Sequence, residues 1–182
     1  LVGDELIVIE STSPPGSTEG LRKRLAHERP DLTFEEELQD SVHVVYCPER
    51  VLPGAIFEEL RSNSRIVGGD SSAAIQRAKE LYAGICSGEI STTDSKTAEL
   101  AKLTENAFRD VNIAFANEVS MVADEIGADG LEVIELANRH PRVDILDPGP
   151  GVGGHCIAVD PWFIVGAAPN RSRIIQTARD VN

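Results

Sequence analysis

The chain has 182 residues, 41% of them hydrophobic but only 4% aromatic, which is enough for one large domain or two small ones with a core of Val, Ile, Leu and Ala. A formal net charge of −13 argues against a nucleic-acid partner, which needs a basic face. No apolar run reaches the length of a membrane span, no secretion signal is visible, and three dispersed cysteines without a CxxC pair suit a reducing, cytoplasmic compartment rather than disulfides or zinc.

The first segment, LIVIE (6–10), is a short β-branched run that predicts a buried strand. STSPPGST (11–18) is a turn cluster, and EGLRKRLAHER (19–29) has helical spacing at Leu21 and Leu25. VHVVYCPER (42–50) reads as strand then turn, and SRIVGGD (64–70) repeats that pattern. SSAAIQRAKELYAGIC (71–86) predicts a helix with a serine cap, and GEISTTD (88–94) a last short strand. Strand and helix alternate up to about residue 93, which predicts an α/β domain with a parallel sheet.

The pattern then changes. Residues 95–126 contain neither Gly nor Pro and end at Gly127, which predicts a single helix roughly 48 Å long. Leu100, Leu103, Ala107, Val111, Ala114, Phe115 and Val122 share one side of it. GLEVIELANRH (130–140) predicts a second helix ended by Pro141, and a last helical stretch lies near 171–182. The expected organisation is a partial Rossmann-like α/β domain over 1–93 and an α-helical domain over 94–182, hinged on the long helix. The sequence lacks an initiator Met and runs almost at once into a strand, so a piece of a longer chain is expected.

Chemistry concentrates in two places. Lys102, Asn106 and Arg109 stand at i, i+4 and i+7 on the long helix, within roughly 60° of arc, and the stripe continues to Asn117. A solvated helix face explains such a stripe equally well. The second place is GPGVGGHCIAVDP (149–161), where glycines surround Cys156 and allow backbone to approach a ligand closely. A free thiol has a pKa of ~8.5 and needs a nearby cation to be a strong nucleophile at neutral pH. Lys102 is a candidate for that cation and for an oxyanion partner. Asp160 follows Cys156 by four residues and precedes Pro161, so it is also a plausible helix N-cap. His155 stands beside Cys156 in sequence, where neighbours often point apart. Glu49 and Arg50 follow one strand and Thr12 another, and the carboxyl ends of strands are where open α/β sheets bind ligands. Cys47 and Cys86 read as inert core residues.

Taken in order, STSPPGS, YCPERVLPG, KLTENAFRDVNIAFANE, NRHPRV and GPGVGGHCIAVDPWFIV resemble the UDP-glucose/GDP-mannose dehydrogenase family over essentially the whole chain. The resemblance implies an enzyme that oxidises the C6 hydroxymethyl of a nucleotide sugar to a carboxylate with two NAD, through a thiohemiacetal and a thioester on Cys156. The substrate it implies is UDP-N-acetyl-D-mannosamine, with UDP-N-acetylglucosamine as the alternative. It further implies that Lys102 stabilises oxyanions, that Asn106 holds sugar or water, and that Asp160 tunes the Cys156–Lys102 pair or the hydrolytic water. Thr12 and Glu49 would lie near the nicotinamide. Arg50, Val51, Arg109, His140, Arg142 and Gly153 would contact substrate, and the long helix would form the core of a homodimer across which His140 and Arg142 reach. UDP-glucose members carry a second Glu where Pro53 stands, so a two-carboxylate hydrolysis scheme is not expected here. No GxGxxG occurs, so the pyrophosphate cradle is missing from this sequence, as is a C-terminal nucleotide-sugar domain, and the piece is expected to be inactive alone. A helical dimerisation module without chemistry is the competing reading. It leaves Lys102, Asn106 and Cys156 unexplained.

Overall fold

The computed structural model describes residues 1–34, 41–51, 54, 56–149 and 156–182. The expected contact Gly153, together with His155 and Pro53, lies outside these described residues. The elements run β1 (Leu6–Ile9), α1 (Ser17–Glu28), β2 (His43–Tyr46), α2 (Ile56–Ser62), β3 (Arg65–Gly69), α3 (Ser72–Ala83), β4 (Ile90–Thr93), α4 (Ser95–Ile126), α5 (Gly130–Asn138), α6 (Asp160–Ala167) and α7 (Arg173–Val181). They form two compact units, Leu1–Lys102 and Leu103–Asn182, and α4 runs from one into the other. None of the helices is long and apolar enough to cross a membrane.

In the first unit the strands lie in the order β1-β2-β3-β4. β1 pairs parallel with β2 and β3 parallel with β4, but β2 and β3 are antiparallel. The sheet is therefore mixed, where strand–helix alternation had predicted a parallel one. The reason lies in the connection. After β2 the chain makes the short excursion of α2, and the Asn63 side chain then donates to the Arg50 carbonyl at 3.3 Å. The chain thus returns beside the residues that follow β2 and runs back along it, so that Gly68 and Gly69 at the end of β3 pair with Tyr46 and Val45 at the end of β2. The core is Val45, Cys47 and Val67 from the sheet with Ala74, Ala78 and Tyr82 from α3, and Leu6, Val8 and Ile90 pack against it. Ser71 caps α3, its hydroxyl accepting the Ala74 N–H at 3.0 Å. Gly68 on β3 is glycine because α4 passes close. A Cβ there would stand 2.4 Å from the Ala98 Cβ.

In the second unit α4 is tied to α6 by Asn106–Asp160 and to α7 by Asp110–Arg179, α5 begins with Gly130 close against Ser120, and α6 packs on α7. Ala107, Ala114, Ala116, Ala123 and Ala178 are all buried, with Ile134. α4 ends where the sequence predicted, and Gly127 takes the left-handed conformation (φ 78°) that terminates many helices. Asp129 then caps α5, its carboxylate accepting from the Leu131 and Glu132 N–H groups at 2.9 and 3.2 Å. The apolar side of α4 is only partly covered. Leu103, Ala107 and Ala114 are buried, whereas Phe115 and Val122 are 53% and 54% exposed and flank an open apolar face.

Candidate active site

In the first unit, β1 and β2 run parallel and deliver their carboxyl ends to one edge, where Thr12 and Glu49 follow. The pairing continues past the strands: Cys47 N–H donates to the Ile9 carbonyl at 2.9 Å and Glu49 N–H to the Glu10 carbonyl at 3.1 Å. Thr12 and Glu49 are half-buried. Glu49 Oε1 accepts the Arg50 N–H at 2.6 Å, while the Arg50 guanidinium turns to the Ser64 carbonyl at 3.3 Å. Val51 follows as half-buried coil.

The turn after β1 is fastened by Glu99 of α4. This carboxylate is fully buried. It accepts from Gly16 N–H at 2.5 Å, Thr18 N–H at 2.8 Å and the Thr18 hydroxyl at 2.7 Å. The N-terminus of α1 offers unpaired N–H groups and the positive end of the helix dipole, so an anion belongs there, and a side chain supplies it. Gly16 makes the approach possible by taking φ 92°. Losing one partner of such a buried set costs ~1–3 kcal/mol.

Among the described residues the helix N-terminus after β1 is occupied by the Glu99 side chain and holds no glycine-rich cradle for a pyrophosphate. The hydroxyl of Thr12 and the strand-end backbone beside it suit the uncharged carboxamide of a nicotinamide.

Two other residues of this unit are inert by position. Cys47 is fully buried, and burial pushes its thiol above the usual range, partly offset by contacts with Tyr82 and Arg65. Tyr82 donates to Glu10 Oε1 at 2.6 Å, and the Arg65 guanidinium lies 4.7 Å above its ring. Cys86 is buried as well.

The second unit brings two of the expected residues together. Asn106 Nδ2 donates to Asp160 Oδ2 at 2.6 Å, and both side chains are buried, 9% and 4% exposed. Asp160 is the first residue of α6. Val159 holds the cap position and no side chain caps the helix, so Asp160 is not the N-cap its position before Pro161 allowed. Cys156 opens the turn that leads into α6, its carbonyl accepting from Val159 and Asp160 N–H at 3.2 and 2.9 Å. Its side chain is exposed. The solvated-face reading of the α4 stripe therefore fails at Asn106, holds at Arg109, which is exposed, and is intermediate at Lys102, which is half-buried one helical turn before Asn106.

The segment leading toward Cys156 is gripped by asparagines. Asn112 accepts from Leu146 N–H at 3.0 Å and donates to the Asp144 carbonyl at 2.8 Å. Asn138 accepts from and donates to Ile145, both at 2.8 Å. Asn117 accepts from Gly149 N–H at 2.8 Å. His140 and Arg142 lie exposed after α5, the Arg142 N–H donating to His140 Nδ1 at 3.3 Å. The clasping roles of Glu99, Asn112 and Asn138 were not apparent from sequence. For Asn112 a signal existed: Asn is a poor helix former, and one inside a long helix invites the question of what its amide holds. Among the described residues no group of His, Cys, Asp and Glu could hold a metal ion.

Residues 1–86 match the NAD binding domain of the UDP-glucose/GDP-mannose dehydrogenase family, and residues 96–182 match its central domain. The chain is 58% identical over 179 residues to UDP-N-acetyl-D-mannosamine dehydrogenase of Escherichia coli, covering 97% of this chain and 43% of that protein. It is also 58% identical over 180 residues to NDP-N-acetyl-D-galactosaminuronic acid dehydrogenase of Ralstonia solanacearum, covering 98% and 43%. The solved structure of UDP-D-ManNAc dehydrogenase from Pyrococcus horikoshii superposes with a TM-score of 0.91 at 45% identity, over all of this chain and 42% of that one. The chain thus spans less than half the length of these relatives. With both halves matched in order, it belongs to the UDP-glucose/GDP-mannose dehydrogenase family.

Proposed function

We propose that this chain is the middle portion of an NAD-dependent dehydrogenase that oxidises C6 of a UDP-N-acetylhexosamine to the uronate, with Cys156 as the covalent nucleophile. The observation that carries the reading is the Asn106–Asp160 hydrogen bond. It ties the turn that begins at an exposed thiol to the helix that carries Lys102. A helical scaffold has no need for a buried carboxylate held by an amide beside an exposed cysteine. Relatives whose names specify N-acetylated sugars support the substrate class. The sugar proposed is UDP-N-acetyl-D-mannosamine, with UDP-N-acetylglucosamine as the alternative.

Thr12 and Glu49 would hold the nicotinamide end of NAD, which would supply a hydride acceptor for each of the two oxidations. The first oxidation converts the C6 alcohol to an aldehyde, and the hydroxyl proton passes to solvent. The Cys156 thiolate adds to the aldehyde carbon and leaves a negative oxygen. Lys102 stabilises that oxygen with its ammonium group. Loss of the second hydride makes a thioester. Water, held by Asn106 and polarised by Asp160, attacks the carbonyl carbon. The C–S bond breaks, releasing the carboxylate and restoring the thiolate, and the two protons of the water pass to solvent. Arg50, Val51, Arg109, His140, Arg142 and Gly153 contact the substrate.

The same reading assigns the open apolar face to a homodimer built on α4, with His140 and Arg142 serving the neighbouring site. A groove lined by Val111, Ala114, Phe115, Ile174, Ile175 and Val181 supports it. An interface would cover these apolar side chains, and twofold association is the commonest kind.

The test is a panel of UDP-N-acetylhexosamines with the full-length enzyme and NAD. Two NADH per acid formed, with the manno epimer preferred, is expected. Turnover of none of the panel, with the enzyme folded, overturns the reading.

A further inference from the structure

The turn after α5 leaves a cation unspent. Arg139, His140, Pro141 and Arg142 are all exposed there. Val143 N–H donates to the His140 carbonyl at 3.0 Å and closes a turn with Pro141 and Arg142 at its centre. Proline suits the first central position because its φ is preset. Arg142 N–H donates to His140 Nδ1 at 3.3 Å, and Arg139 pairs with Glu135 at 3.3 Å. Among the described residues the Arg142 guanidinium has no partner.

The bonds within the turn set its shape and leave its aim open. The entering limb continues α5, since Arg139 and His140 N–H reach the Leu136 and Ala137 carbonyls at 3.3 and 3.0 Å. The returning limb is held by two side chains. Asn138, the last residue of α5, accepts the Ile145 N–H and donates to the Ile145 carbonyl, both at 2.8 Å. Asn112 of α4 accepts the Leu146 N–H at 3.0 Å and donates to the Asp144 carbonyl at 2.8 Å. A side-chain amide carries the same donor and acceptor as a peptide group, so each asparagine takes the place of a missing strand. Water would satisfy these backbone groups in a loop that only connects two elements. A turn fixed by one limb swings about it, whereas one fixed by both limbs keeps a single aim.

We propose that Asn138 and Asn112 are positioning residues for Arg142, holding the turn so that its guanidinium is aimed at the anionic nucleotide sugar before that ligand arrives. The proposal rests on the reading of Arg142 as a substrate contact. It places the clasp in binding and outside the chemistry of Cys156. Without one asparagine the turn samples other aims, and the apparent affinity falls with the fraction of molecules that keep Arg142 in place.

The experiment is steady-state kinetics of the full-length enzyme with N138A, N112A, R142A and the double variant N138A/R142A, joined to hydrogen exchange at the Ile145 and Leu146 amides. R142A should raise KM for the UDP-sugar about tenfold. N138A and N112A should each raise it about three- to fivefold, with kcat and KM for NAD within about twofold. On the R142A background, N138A should change KM by less than about 1.5-fold, because a residue that acts only through Arg142 has nothing left to position. A merely structural role would lower the amount of active enzyme and leave KM alone. Exchange should quicken in N138A at Leu146, which Asn112 holds, and in N112A at Ile145, which Asn138 holds. If N138A does not fold, N112A and N112A/R142A carry the same test, since alanine is the best residue for a helix interior such as that of α4. Wild-type KM in N138A, or the same fold-change in KM with and without Arg142, overturns the proposal. Wild-type KM in R142A, or a wild type that oxidises no UDP-sugar, fails the reading of Arg142 and takes the positioning role with it. Unchanged exchange at both amides in folded variants overturns the clasp itself.

Discussion

The side-chain amide of Asn106 donates a 2.6 Å hydrogen bond to the buried carboxylate of Asp160, joining α4 to the first residue of α6. The two residues test different properties of this bond. N106L leaves the buried carboxylate without its donor and should lower unfolding stability by about 1–3 kcal/mol, measured by denaturant titration. D160N keeps an acceptor for Asn106 and removes only the charge. It should fold with a near wild-type midpoint and lose turnover if that charge polarises the hydrolytic water. Full activity in D160N would remove the carboxylate from the mechanism.

Lys102 and Arg109 share the α4 stripe, but Lys102 is half-buried and Arg109 exposed. K102A should lower kcat about 10²–10³-fold, the usual effect of losing one oxyanion donor. R109A should act mainly on KM for the UDP-sugar, as a uniform binding contact does. A large KM change with unchanged kcat in K102A contradicts the role given to it.

The three thiols differ in access. Cys47 and Cys86 are buried, and burial holds the Cys47 thiol above its usual range, so it stays protonated at neutral pH and its thiolate fraction rises only in more alkaline solution. Iodoacetamide on the native protein near neutral pH should label Cys156 alone among these three, with all three labelled after denaturation. Native labelling of Cys47 at the rate of Cys156 would show that the first unit opens readily.

Phe115 is 53% exposed and lines the apolar groove between α4 and α7. If the proposed dimer forms, F115D should convert it to monomers, or to insoluble protein, as read by light scattering at micromolar concentration. A wild type that is already monomeric there removes the dimer, and with it any contribution of Arg142 to a neighbouring site.

Much of the fold was legible in local pattern. α4 could be bounded to the residue because thirty-two positions without Gly or Pro meet a glycine free to take positive φ. Cys156 and Asp160 stood out because glycines and a proline crowd around them. What local pattern could not reveal is where the chain turns back. The antiparallel β2–β3 pair is accompanied by an Asn63–Arg50 contact, between residues that resemble ordinary turn chemistry. α2 went unread between a Pro-Gly pair and the Asn-Ser that follows it. Glu99 looked like any helix carboxylate, since its value depends on the N-terminus of α1 being brought to it. The sequence offered Asn106 as a candidate site residue but did not show its burial, because helical spacing gives a face and leaves its neighbours unspecified.

The most direct test of the account is the C156S variant of the full-length enzyme, assayed for carboxylate and NADH with UDP-N-acetyl-D-mannosamine. A serine hydroxyl is scarcely ionised at neutral pH, and its ester is a poorer leaving arrangement than a thioester. The account predicts no detectable acid from a folded protein, and a sugar-derived mass increase on the Cys156 peptide of the wild type quenched during turnover. Near wild-type formation of the acid by C156S would contradict it.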